Sequence, residues 1–273
     1  MLLKVLDNLD KGAIWAGQPL LEPSERRLEA LTGYGVLAGV LAIPTFVGVA
    51  IVSLAVGSGG AFLRAVPIAL AIAIVLSFIA YLTSPRLDMG GFELIEPDAY
   101  FVSRLEGLLE GLGAVVGVED VGFAMVDFAG VNVGSFYKGR NRPVIVFTRG
   151  AQDAFSRVEL EAVVARELAR IKAGAALFDA RLALLRRIVM TVSGGALPKS
   201  LSVHAAERVG IADVTGVSVT RYPPALAQVL ERFGTPAAGE MVPRYMRYSA
   251  SAWLFPALGG ATLQARIKEL RTL

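Results

Sequence analysis

The chain has 273 residues, 54% of them apolar, with a net charge of +3, a single histidine and no cysteine. Zero cysteine excludes a disulfide framework and any thiolate metal site, and the lone His204 weighs against an ordinary catalytic zinc centre, which uses two or three imidazoles. The mean hydropathy of +0.56 and the pI near 9.3 place part of the chain in lipid, since soluble domains hold about 45–50% apolar residues, and with no dominating Lys/Arg run they exclude a nucleic-acid partner.

Residues 1–30 mix polar and apolar types, and Leu2, Val5, Leu6 and Leu9 recur at helical spacing. That pattern predicts a short amphipathic segment, and no basic start leads into a short apolar core, so it does not read as a signal peptide. Tyr34 to Val56 is uncharged, and Val66 to Leu82 is a second uncharged run after the turn Gly57-Ser58-Gly59-Gly60. Runs of this length suit a hydrocarbon core of about 30 Å, so residues 31–84 are expected to form a transmembrane helical hairpin. Lys4, Lys11, Arg26 and Arg27 precede it, whereas the turn holds only Arg64. The positive-inside rule then predicts a multi-pass protein of the cytoplasmic membrane with both termini and the soluble part inside.

Residues 85–273 read as that soluble part. Pro97 to Gly113 carries Tyr100, Leu105, Leu108, Leu109 and Leu112 at helical spacing. Strand-like pieces follow at Val121–Val126, Val131–Phe136 and Val144–Thr148, the last two joined by a turn through Gly139, Arg140 and Asn141. Arg157 to Ala173 is a helix with Ser156 as cap and Glu159 three residues on. Leu177 to Val192, Pro224 to Phe233 and Leu263 to Leu270 complete the expected helices. Glycine pairs such as Gly194-Gly195 fit no phosphate loop and read as turns.

The helix at 159–172 reads Glu-Leu-Glu-Ala-Val-Val-Ala-Arg-Glu-Leu-Ala-Arg-Ile-Lys. The strand before it ends Val146-Phe147-Thr148-Arg149-Gly150-Ala151, and Asn132-Val133-Gly134-Ser135-Phe136 lies upstream. Downstream come Ala212-Asp213, Pro223-Pro224-Ala225-Leu226 and Arg266-Ile267. In this order these pieces resemble the HtpX-like zinc metalloendopeptidases, a family that includes the CaaX prenyl-protein proteases. Its members read "ELEAVLAHELGHIKNRD" at the helix, "NAFATG" at the edge and "THPPLxxRIxxL" near the end. The resemblance covers the chain from about residue 31 onward. It implies an α+β fold: the two-helix membrane hairpin, then a mostly helical zincin-like (gluzincin) domain with a small antiparallel sheet. It also implies that extended peptides add to the edge at Asn132, Val133 and Gly134.

The departures bear on function. Where the family carries its two zinc-binding histidines at i and i+4, this chain has Arg166 and Arg170. Val209 stands where the third ligand, a Glu, is expected, and Ala175 where an Asp is; the "THPP" His is gone too. Glu167 alone matches the family's general base. Guanidinium offers no lone pair and stays charged, so no zinc and no other cofactor is expected. The bland reading of Arg166-Glu167-Arg170 is an exposed, salt-bridged helix face. The sharper one is that both arginines fill the vacated metal site and pair with Glu167, sharing a further anion such as Glu207. The resemblance and its departures imply an inactive membrane homologue that acts as scaffold, peptide binder or regulatory subunit, with lipid and a protein or peptide as partners. The alternatives are an active endopeptidase with an unconventional metal site, for which His204 and Glu207 would be rescue ligands, and a structural subunit of a membrane complex.

Overall fold

A computed structural model describes residue 38, residues 45–52, 55, 67–79, 89, 91–138, 142–177, 179–180, 183–184, 187, 212–234, 252–255 and 261–273. Four strands form one sheet: β1 (Leu94–Ile95), β2 (Gly122–Val126), β3 (Val133–Lys138) and β4 (Arg142–Thr148), in the order β1-β2-β4-β3. β3 and β1 pair antiparallel with their neighbours, but β2 runs parallel to β4. The sheet is therefore mixed, not the antiparallel one expected. Its parallel pair is made possible by a connection that first lays down β3 as the edge and then returns along its inner side.

The helices are α1 (Ala99–Val116), α2 (Arg157–Lys172), α3 (Pro223–Phe233) and α4 (Ala261–Thr272), with a further helical stretch at 212–220. The N-terminus of α1 is capped by Asp98, whose carboxylate accepts from the Phe101 backbone amide at 2.7 Å. The helix runs past Gly113 to Gly117, later than the sequence suggests. Gly113 lies within the helix, where a Cβ would lie 2.9 Å from the Val118 carbonyl oxygen, so the close approach of that carbonyl suits glycine. Gly117 (φ 71°) instead takes the left-handed cap and donates to Gly113 O. α2 starts as expected: Ser156 and Glu159 close a reciprocal capping box.

β4 shows how the core is divided. Successive side chains alternate between faces: Ile145 and Phe147 join the main core with Phe101, Leu105, Leu160, Val164 and Leu168. Val144 and Val146 face the other side, against Phe136 and Trp253. α2 packs on the first face and also against α1 and α3, so its twelve buried residues make it the central helix.

The expected N-terminal membrane hairpin is corrected. Among the described residues no helix is long and apolar enough to cross a membrane. The described part of the second run, 67–79, covers about 20 Å at 1.5 Å per residue, against a hydrocarbon core of about 30 Å. The rest of that apolar run, and all but residues 38, 45–52 and 55 of the first one, lie outside the described residues. The orientation inferred from the hairpin loses its support with it. Uncharged sequence length alone set the expectation. Also outside the described residues are the segment 1–30, the turn at 139–141 and most of the expected helix 177–192.

Candidate functional site

The central helix carries charges where a core helix ordinarily has none. Arg166 and Glu167 are 0% exposed and Arg170 is 2% exposed, so the exposed-face reading is wrong. Removing such groups from water costs several kcal/mol each unless every charge meets a partner. Here each does. Arg166 Nη1 donates to Glu167 Oε1, and Arg170 Nη1 donates to Glu167 Oε2 at 3.1 Å. Arg166 Nε donates to Asp213 Oδ1 at 2.6 Å, and Arg170 Nη2 to Asp179 Oδ2 at 2.5 Å.

A third arginine closes the array. Arg266, on α4, donates through Nε to Asp213 Oδ2 at 2.5 Å and through Nη2 to Asp213 Oδ1 at 3.0 Å. Arg166, Arg170 and Arg266 thus stand against Glu167, Asp179 and Asp213, and the six formal charges cancel. Burial alone would push the Asp213 carboxyl up, but the charges and hydrogen bonds of Arg266 and Arg166 outweigh it and hold it below the ordinary carboxylate value. Desolvation would lower Arg166, but the charges and hydrogen bonds of Glu167 and Asp213 outweigh it and raise it above the ordinary guanidinium value. Glu269 is pushed up, by burial first and by the Asp213 charge second. Among the described residues, Arg166 Nη2 is buried without a hydrogen-bond partner.

The helix at 212–220 reaches this array through Gly216. A Cβ at that position would sit 2.5 Å from Arg166 Cα, so only glycine lets the two helices approach closely enough for Asp213 to reach the guanidinium.

Beside the array runs the edge strand. Asn132 is fixed by its own amide, which donates to Thr148 Oγ1 at 2.8 Å. Its side chain and Val133 meet the chain's own segment 252–255. The Leu254 amide donates to Val133 O at 2.7 Å, and Gly134 bridges Trp253 in antiparallel fashion. Phe255 N donates to Asn132 Oδ1 at 3.0 Å, while Asn132 Nδ2 donates to Phe255 O at 2.9 Å. Two carbonyls of the segment accept from the arginines: Arg170 Nη1 donates to Ala252 O, and Arg266 Nη1 to Leu254 O at 2.8 Å.

Of the residues singled out in the sequence, the structure brings together Arg166, Glu167 and Arg170, with Asn132, Val133 and Gly134 one segment away. Val209, His204 and Glu207 lie outside the described residues, and Ala175 is a half-buried alanine just beyond α2. Sequence reasoning missed Asp179, Asp213 and Arg266 as partners. Asp213 and Arg266 sit 47 and 100 positions from Arg166, and only their place in the family's "AD" and "RI" pairs marked them.

The zinc that the resemblance implies does not fit these positions. Two of its ligand places hold guanidinium groups, which offer a metal no lone pair and are already engaged by carboxylates. Among the described residues, no group of three or more His, Cys, Asp or Glu side chains is placed to hold a metal ion. Glu167 is fully buried, and both its carboxylate oxygens accept from the arginines.

The chain is similar to a protease HtpX homolog from Dictyoglomus turgidum, at 25% identity over 201 residues. The similarity covers 60% of this chain and 65% of that relative, just under two thirds of its length. No family model matches the chain, and no solved structure does.

Proposed function

We propose that the chain is a catalytically inactive relative of the HtpX-like metallopeptidases that works by holding a polypeptide or a protein partner. One observation carries this reading: Arg166 and Arg170 lie buried on α2 and pair with Glu167, the one residue that matches the family's general base. Without a metal, no water is activated toward a pKa of about 7 and no Lewis acid polarises the peptide carbonyl. Binding needs neither. An edge strand gives main-chain hydrogen bonds to an extended chain whether or not a zinc stands behind it, and β3 presents such an edge.

Contact with a lipid bilayer belongs to the same reading. Ile68, Leu70, Ile74, Val75 and Phe78 are each more than half exposed on the helix at 67–79. A contiguous apolar surface of this kind marks a lipid or protein contact.

The test is zinc content measured together with casein cleavage, on the native chain and on an Arg166→His, Arg170→His, Val209→Glu variant. The native chain is expected to hold no stoichiometric zinc and to leave casein intact. Cleavage by the native chain that a chelator abolishes would overturn the proposal.

A further inference from the structure

The edge that this reading assigns to a peptide is already filled, and by the chain itself. Ala252, Trp253, Leu254 and Phe255 lie against β3, with one antiparallel bridge between Trp253 and Gly134. The amides of Leu254 and Phe255 turn to Val133 and Asn132. The carbonyls of Ala252 and Leu254 turn to Arg170 and Arg266. β3 is shaped for this approach: a Cβ on Gly134 would come within 2.6 Å of Ala252 O. A glycine inside a strand often marks a place where another backbone comes close.

The side chains add a pattern. Trp253 is 0% exposed and sits in an aromatic pocket, 4.8 Å from the Phe136 ring and 6.0 Å from the Phe92 ring between centroids. Ala252 and Leu254 are buried, and Phe255 is half-buried against the main core.

We propose that residues 252–255 are a built-in peptide ligand, occupying in cis the edge that an extended polypeptide of the pattern small, aromatic, aliphatic, aromatic occupies in trans. The proposal rests on the peptide-holding reading and gives it a specificity and a latch. The aromatic pocket selects a Trp-sized side chain, Gly134 admits any backbone, and Arg170 and Arg266 supply donors to two peptide carbonyls. A partner binds only by displacing the chain's own segment. The two arginines therefore have a second role beyond balancing charge, since they hold the ligand's main chain.

The experiment uses a fluorescent Ser-Ala-Trp-Leu-Phe-Pro peptide and a scrambled control. The Trp253→Ala chain has an emptied aromatic pocket, and it is expected to bind the peptide at least about tenfold more tightly than the native chain does, with no binding of the scramble. A folded Trp253→Ala chain that binds neither peptide, or both alike, overturns the proposal. Should that variant not fold, hydrogen exchange on the native chain decides. Excess peptide is expected to speed exchange at the Leu254 and Phe255 amides while the α2 amides stay slow; no change at those two amides overturns it. Failure here leaves the inactive-relative reading standing, because that reading is tested by zinc content and cleavage and not by binding of this peptide.

Discussion

Asp213 is the residue on which the buried charges depend most. It accepts three hydrogen bonds from two buried guanidinium groups, those of Arg166 and Arg266. Replacing it by Asn keeps the shape and removes the charge, which leaves Arg166 and Arg266 buried against a neutral amide. Breaking a buried pair from one side costs about 3–5 kcal/mol. Asp213→Asn is therefore expected to lower the urea midpoint by that equivalent at unchanged m-value. The same change at Asp127 is a control. Asp127 meets Arg149 at 3.1 Å with side chains 46% and 60% exposed, so solvent screening keeps its loss within about 0.5 kcal/mol. Equal losses at the two positions would show that the array carries no special burden.

At the scale of elements, the array exists because α2 and the helix at 212–220 touch at Gly216. Adding one methyl group there forces the helices apart against a fully packed backbone, and overpacking of this kind costs about 1–3 kcal/mol. Gly107 is the opposite case. It lies exposed within α1, and a Cβ on it meets nothing within 4 Å. Gly107→Ala is expected to gain about 0.5–1 kcal/mol from helix propensity, whereas Gly216→Ala loses stability. Chemical unfolding of the two variants side by side reads the difference, and the same sign at both positions would remove the contact argument. Both glycines sit inside helices, and propensity alone would treat them alike.

For the whole molecule, what the sequence made legible is what is encoded locally. The Ser156–Glu159 capping box lies within one turn, and the alternation of β4 within seven residues, so α2 and the inner strand were readable. The partners of the arginines were not. Asp213 and Arg266 are joined to them only by the packing of α4 and the 212–220 helix, and nothing near Arg166 says that its face is buried. The segment 252–255 carries no strand pattern, so its place on the edge was equally hidden. The membrane hairpin was read from uncharged sequence length alone, and among the described residues no helix is long and apolar enough to cross a membrane.

The buried array gives the fold a definite acid limit. Asp213 has its carboxyl held below the ordinary value, and Glu159 likewise, where burial is outweighed by the Ser156 hydrogen bonds and by Arg232. The unfolded chain therefore takes up these protons first. The stability they supply is complete above the ordinary carboxylate pKa of about 4 and is lost as pH falls from there through the folded values. Glu269 runs the other way: its raised carboxyl contributes below its ordinary value, and that contribution disappears as pH rises through the folded one. It is one group against two, so the melting temperature is expected to fall steeply below pH of about 4. Asp213→Asn should lower the whole curve and make its acid limb shallower, because one of the two linked protons is gone. A melting temperature that stays level to pH of about 3, or an acid limb equally steep in Asp213→Asn, would mean that the array does not set the limit.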